Sequence, residues 1–411
     1  MSLICLLAFP ALLQASPFHL SPYKLVDVTV YSQTPELLSI ESQWQYGDNE
    51  LNHFRIKRIL NRNNIFKPFK PFKPILFVAP FNATLEHYTL SSTGDYRDSI
   101  EAQLSLAGYD VWIVEDRMYT GAPEDCEQRY DCSVIGTWGL ASRSQDIELT
   151  RQLIKHATGV SNPVIGGITG GGIAAMAAVN AHPENFRALF STGGFYSQDE
   201  TIRDYNRTTC ELFRAAVEAG DYYRESLGGL EMLIVLARND PDGISPFDPS
   251  VTNYQLVVNL LTGAGMLGFL SYTPEYRFAA PTATLDDYKY MNAELFYEDS
   301  HYFGTLVSHS HFSDIYCTIA GDDSFINQLK YFKGNALFLG GGHGMTPLQI
   351  DNLPLFARAN VVVISDPEDG GEADNYLVDL EWRQQVLDGP LLKWLSRQYP
   401  DSGKPDFPWF N

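Results

Sequence analysis

At 411 residues, with 45% hydrophobic and 13% aromatic side chains, the chain has the apolar material for a large core and is not a disordered polypeptide. Its 50 acidic residues against 29 basic give a formal charge of -21, which repels phosphate backbones and anionic surfaces and excludes nucleic acid as an expected partner. One large domain carrying an insertion, or two domains, is the expected organisation.

Residues 1–16, MSLICLLAFPALLQAS, hold an apolar run ending in small residues, the shape of a secretory signal peptide, although no Lys or Arg precedes it. The run is too short to span a bilayer and no later stretch is long enough either, so no integral membrane segment is expected. Cleavage would remove Cys5 and leave Cys126, Cys132, Cys210 and Cys317, an even count that fits two bridges in an oxidising compartment. Cys126 with Cys132 would close a short loop, and Cys210 with Cys317 would staple one insertion; buried free thiols are the alternative. Sequons at Asn82-Ala83-Thr84 and Asn206-Arg207-Thr208 fit a secreted glycoprotein.

Residues 23–47 alternate apolar and polar positions and predict an opening antiparallel hairpin. FKPFKPFKP, residues 66–74, is a triplet repeat whose prolines forbid helix and central strand, so an extended surface loop is predicted. From Ile75 strand and helix alternate: strands at 75–79 and 110–115, helices at 93–107 and 141–157, then strands at 164–166 and 188–191. That rhythm means a mostly parallel sheet covered on both faces, with ligands bound at the carboxyl ends of its strands. Residues 198–330 break it and read as a largely helical insertion containing His301, His309 and His311. No carboxylate or cysteine constellation accompanies these histidines, so no metal is expected. Strands at 336–339 and 360–365 and a helix at 376–397 close the chain.

The stretch NPVIGGITGGGIAAMAAVNAH, residues 162–182, reads either as a site of chemistry or as a glycine-rich strand-to-helix turn without any. An apolar strand enters a glycine-rich turn and leaves as an alanine-rich helix, with Thr169 at the tip of Gly167-Ile168-Thr169-Gly170-Gly171. Small neighbours on both sides are what a strained nucleophile elbow requires, but the tip is a β-branched threonine rather than serine. A phosphate-binding loop is excluded by the lack of a following Lys-Ser or Lys-Thr.

Four stretches together resemble the α/β-hydrolase superfamily over residues 23–400. They are FVAPFNA, GYDVWIVEDR, the turn GITGG, and the late strand FLGGGHGMTP with its downstream loop DPEDGGEADNYL. The resemblance implies a core of residues 17–197 and 331–411, with 198–330 as a lid after the sixth strand. It also implies a nucleophile at Thr169, backbone donors at Gly170 and Phe81 forming an oxyanion hole, an acid after the seventh strand and a histidine after the eighth. Counting three residues past Gly340 and four before Pro347 places His343 where the acid is expected, and Gly371-Glu372-Ala373-Asp374 puts Glu372 where the histidine is expected. No histidine follows His343 in the chain.

An exchanged pair would set Glu372 nearest Thr169, with His343 behind it. A carboxylate with an ordinary pKa near 4 is a poor base toward a hydroxyl unless burial raises it. The same pair can move protons on a bound substrate without a covalent step, leaving Thr169 as a hydrogen-bond donor. A glycan on Asn82 would obstruct the oxyanion loop, so that sequon is expected to stay unused. Two readings follow. One is a secreted enzyme, without a cofactor, that acts on a hydrophobic small molecule by ester or lactone hydrolysis or by acid/base isomerisation, cyclisation or epoxide opening. The other is a catalytically dead carrier that holds such a ligand.

Overall fold

The computed structural model describes residues 22–65, 71–118, 120–121, 124–194, 196, 200–225, 236–237, 239–256, 298, 302, 304–341, 352–366, 384 and 389–399. In chain order the strands are β1 (Tyr23–Ser32), β2 (Leu37–Tyr46), β3 (His53–Asn61), β4 (Pro74–Val78), β5 (Asp110–Val114), β6 (Val164–Ile168), β7 (Ala188–Thr192), β8 (Tyr223–Glu225), β9 (Leu306–Ser308), β10 (Asn335–Gly341) and β11 (Asn360–Asp366). The longer helices are α1 (Ile100–Leu106), α2 (Leu140–Thr158), α3 (Gly170–Ala181), α4 (Glu200–Glu218), α5 (His309–Ile319) and α6 (Gly389–Gln398).

Nine strands form one sheet in the order β1-β2-β3-β5-β4-β6-β7-β10-β11. The first three run antiparallel, β3 pairs antiparallel with β5, and every later pair is parallel. Every residue of β4, β5, β6 and β7 is buried, because helices cover both faces and leave no polar side to the pleat. Leu76, Val78, Trp112 and Val114 face a core closed by α2 and α3. Ile75, Phe77, Val111 and Ile113 face the other, closed by α1 and α6.

The sheet holds one strand more than the sequence reading counts, and that strand is β3. His53–Asn61, HFRIKRILN, carries Arg55, Lys57 and Arg58, and its buried cations hide the alternation that marks a half-buried strand. The insertion therefore leaves the sheet after its seventh strand in chain order. The first core helix starts at Ile100 rather than residue 93, because Ser99 accepts from the Ala102 N–H as its N-cap, while Tyr96–Asp98 forms a separate 3-10 turn. Within the insertion, α4 and α5 pack together and β8 pairs with β9. Both expected disulfides are present, Cys126 to Cys132 and Cys210 to Cys317; the second ties α4 to α5. Most of the repeated FKP tract and the start of the expected closing helix lie outside the described residues, as does the apolar run LVVNLLTGAGMLGFL. No helix among the described residues is long and apolar enough to cross a membrane.

The cations of β3 are held by ion pairs. Lys57 Nζ lies 2.5 Å from Glu101 Oε1, both side chains buried, and the Tyr96 hydroxyl donates to the same oxygen at 2.6 Å. Arg58 makes a two-pronged pair with Asp110 at 2.9 and 2.8 Å and lies over the Trp112 ring. Breaking one member of a buried pair strands the other charge, whereas replacing both removes the desolvation cost as well. Lys57→Met is therefore expected to cost about 3–5 kcal/mol in urea unfolding, and Lys57→Met with Glu101→Leu to recover most of it. A double variant no more stable than the single one would contradict this account of the strand.

Candidate active site

Strand β6 is a five-residue apolar run that ends at Ile168, and helix α3 begins at Gly170. Between them Thr169 has φ 47° and ψ -120°, a conformation that a β-branched residue adopts only under constraint. The constraint is visible on both sides. The Thr169 N–H donates to the Thr192 carbonyl at the end of β7 at 2.6 Å, and the Thr169 carbonyl accepts from the Gly172 N–H at 2.9 Å to start the helix. The glycines let backbone approach backbone. A Cβ on Gly171 would lie 2.3 Å from the Val78 carbonyl oxygen, and one on Gly167 would lie 2.5 Å from the Gly171 carbonyl carbon. Strain of this kind costs on the order of 1–3 kcal/mol and persists where the surrounding structure over-determines it.

Phe81 and Gly170 meet. A Cβ built on Gly170 would stand 2.9 Å from the Phe81 Cβ and 3.2 Å from its backbone nitrogen, so the two expected oxyanion donors belong to one small region. Gly170 is also the first residue of α3, where the helix dipole and unbonded N–H groups favour negative charge. Next in the chain, Asn82 has φ 57°, and its backbone N–H donates to Asp116 Oδ2 at 3.2 Å. The Asn82 carbonyl accepts from the Gly304 N–H at 2.9 Å, and its side-chain amide donates back to the Gly304 carbonyl at 3.0 Å. Asn82 is only 5% exposed and Asn206 is fully buried, so a glycan on either would have to pass through packed protein.

His343 and Glu372 lie outside the described residues. Their segments leave adjacent parallel strands, since Gly341 at the end of β10 is paired with Asp366 at the end of β11. These ends share the sheet edge on which β6 delivers Thr169. His301 also lies outside the described residues. His309 and His311 stand on the first turn of α5 and face different surroundings: His309 Nδ1 is 2.9 Å from the Asp221 carbonyl oxygen, while His311 stacks on Phe81. Among the described residues no group of three or more His, Cys, Asp or Glu side chains has the arrangement to hold a metal.

The sequence reading misses a buried polar cluster behind the Phe81–Asn82 segment. Asp116 Oδ2 lies 3.6 Å from Arg143 Nη1 and 3.7 Å from His311 Nδ1, with all three side chains almost fully enclosed. The His311 ring lies 4.8 Å from the Phe81 ring at 19°, and its Nε2 has no hydrogen-bond partner among the described residues. A cavity of about 10 Å³ opens between His311, Asp116, Asn82, Ser308 and Trp138. Burial pushes the imidazole well below its ordinary value, to about 4, with Asp116 opposing and Arg143 reinforcing the shift. Nearby, burial raises the Glu115 carboxyl to about 7 against the pull of Arg55, while Glu115 accepts from the Arg55 N–H at 2.8 Å and the Leu85 N–H at 3.3 Å.

No protein-family model and no curated protein sequence matches this chain. Solved structures do match. The structure of a candidate lipase from Sulfolobus solfataricus aligns with a TM-score of 0.62 at 17% identity, over 90% of this chain and 99% of that one. A peroxisomal α/β-hydrolase of Saccharomyces cerevisiae aligns at 0.47 with 8% identity, over 94% of this chain and 92% of that one. A thermophilic esterase from Thermogutta terrifontis aligns at 0.45 with 11% identity, over 92% and 99%. The chain thus has the α/β-hydrolase fold, a mostly parallel sheet flanked by helices, as the four motifs imply.

The neutral His311 makes stability depend on pH. The unfolded chain binds a proton below about 6.5 that the fold refuses until about 4, so the stabilisation is complete above about 6.5 and is lost as pH falls through that window. His311→Phe keeps a ring against Phe81 and removes the titration. In urea unfolding, its stability relative to the parent is expected to rise by up to about 3 kcal/mol between pH 7.5 and pH 4. A difference that stays constant across that range would show that His311 does not titrate in this way.

Proposed function

We propose that this protein is a secretory-pathway hydrolase that cleaves an ester or lactone of a hydrophobic small molecule at Thr169. The single observation that carries the reading is the strained Thr169 backbone at the tip of the strand–helix turn, set beside the Phe81 and Gly170 donors. A positive φ on a β-branched residue is a cost without return unless the hydroxyl is used. The Thr169 hydroxyl attacks the ester carbonyl carbon and gives its proton to Glu372, which His343 assists. The oxyanion that forms accepts from the Phe81 and Gly170 N–H groups, the C–O bond to the leaving alcohol breaks as the alcohol takes up the proton, and water then hydrolyses the acyl-threonine.

Hydrophobic substrates are supported by the aromatic packing around the oxyanion loop. Phe312 lies 5.0 Å from Phe81, and Phe213 stacks on Phe312 at 4.9 Å, both from the insertion. We read residues 198–330 as a lid, because Gly304 and Tyr302 hydrogen-bond Asn82 and Thr84 across the loop. The apolar leader and the two disulfides support entry into an oxidising compartment.

The assignment separates from its alternatives in one set of assays on short- and medium-chain acyl esters. Thr169→Ala is expected to abolish turnover, Thr169→Ser to retain it, and Glu372→Gln to lower kcat by about a hundredfold, the usual worth of a general base. Mass spectrometry of a rapidly quenched reaction should trap an acyl group on Thr169. If Thr169→Ala costs only about tenfold while Glu372→Gln is the severe variant, Thr169 is a hydrogen-bond donor to a noncovalent acid/base reaction. Neither turnover nor labelling by a fluorophosphonate, with an apolar ligand still bound, would define a carrier.

A further inference from the structure

Three side chains distant in sequence converge on the four residues Ala79–Asn82. Arg143 Nη2, from α2, donates to the Ala79 carbonyl and lies 3.4 Å from the Pro80 carbonyl oxygen. Asp116, just past β5, accepts the Asn82 N–H at 3.2 Å and faces Arg143. The His311 ring covers the Phe81 ring. The residues on each side of Phe81 are thereby anchored through their backbone, and Gly170 closes the remaining side.

We infer that Asp116 and Arg143 are positioning residues that fix the Phe81 N–H for the oxyanion, an inference that rests on the hydrolytic reading of Thr169 and deepens it. Stability alone is a poor account of the pair. Arg143 is 2% exposed, and its Nε and Nη1 have no hydrogen-bond partner among the described residues, so these polar groups are incompletely satisfied there. Apolar residues of similar volume commonly serve stability as well or better. What an apolar side chain cannot do is hold two successive carbonyls from one side while a carboxylate holds the next N–H. A peptide with no side-chain donor of its own can be aimed only through its neighbours. Misplacing a reacting or stabilising group by about 1 Å costs on the order of a hundredfold, and losing one oxyanion donor costs about 10²–10³ in kcat.

The test pairs ester kinetics with amide hydrogen exchange of peptides spanning residues 78–85, on Arg143→Met, Arg143→Lys, Asp116→Ala and Asp116→Asn, each checked for folding by near-UV circular dichroism. Arg143→Met and Asp116→Ala are expected to speed exchange in this segment at least tenfold and to lower kcat about a hundredfold, with KM within threefold of the parent. Arg143→Lys and Asp116→Asn, which keep one donor or one acceptor, should recover about tenfold of that loss. Should either severe variant fail to fold, its conservative partner carries the same comparison, with a smaller kcat loss at unchanged KM. Unchanged exchange in folded variants overturns the inference, as does faster exchange with unaltered kcat, or a fall in kcat matched by a proportional rise in KM. A parent protein that hydrolyses no ester, with exchange still accelerated by Arg143→Met, overturns the hydrolytic reading and the catalytic purpose of the anchor, while the anchoring of the loop stands.

Discussion

The close approach of α3 to the end of β4 is the constraint on which the site depends. A Cβ at Gly171 would enter the Val78 and Ala79 carbonyl oxygens, so the helix can start where it does only because its first turn is glycine. The helix is held there by burial, with Ile173 through Asn180 all enclosed. A largely buried helix of alanines brings little side-chain entropy cost and packs tightly on the sheet. That packing offsets the strain at Thr169, which stands where β6 ends and α3 begins with its N–H held by the Thr192 carbonyl.

The same economy runs through the buried charges. Arg55 binds Glu41, Glu86 and Glu115, and Arg117 pairs with Asp146 at 2.6 Å while Tyr23 donates to the same carboxylate. These contacts join β1, β2, β3 and α2 across more than a hundred residues of sequence. They do not stabilise strongly in net terms, since desolvation consumes most of the attraction, but they penalise any other register of β3. A one-residue slip would leave several cations buried without partners.

Local features of this fold are legible in the sequence, and long-range polar ones are not. The turn at Thr169 shows in the glycine spacing because steric crowding acts within five residues. The bridges show because the four cysteines beyond the apolar leader can pair in few ways, even across the 107 residues between Cys210 and Cys317. The helix start at Ser99 was available as a capping residue three positions before Ala102, though the gentler periodicity upstream draws the boundary too early. β3 is hidden by its own cations, whose partners lie 14 to 60 residues away. Asp116, Arg143 and His311 are hidden for the same reason: no spacing rule connects the end of a strand, the face of a helix and the first turn of an inserted helix. Only the folded contact makes them one cluster.

That cluster also decides how the insertion relates to the sheet. Helix α5 brings His311 and Phe312 to Phe81, and its Asp314 accepts the Leu140 N–H at 2.7 Å, capping the helix that carries Arg143. The Cys210–Cys317 bridge ties α4 to α5, and Gly304 exchanges two hydrogen bonds with Asn82. The described part of the insertion is therefore packed against the Phe81–Asn82 segment of the core. Asn82 belongs to a residue type that visits the left-handed backbone region more readily than most, and its side-chain amide donates to the Gly304 carbonyl of the insertion. One residue thus joins the Asp116 side of the core to the inserted segment. The backbone on both sides of Phe81 is consequently held by the core and the insertion together.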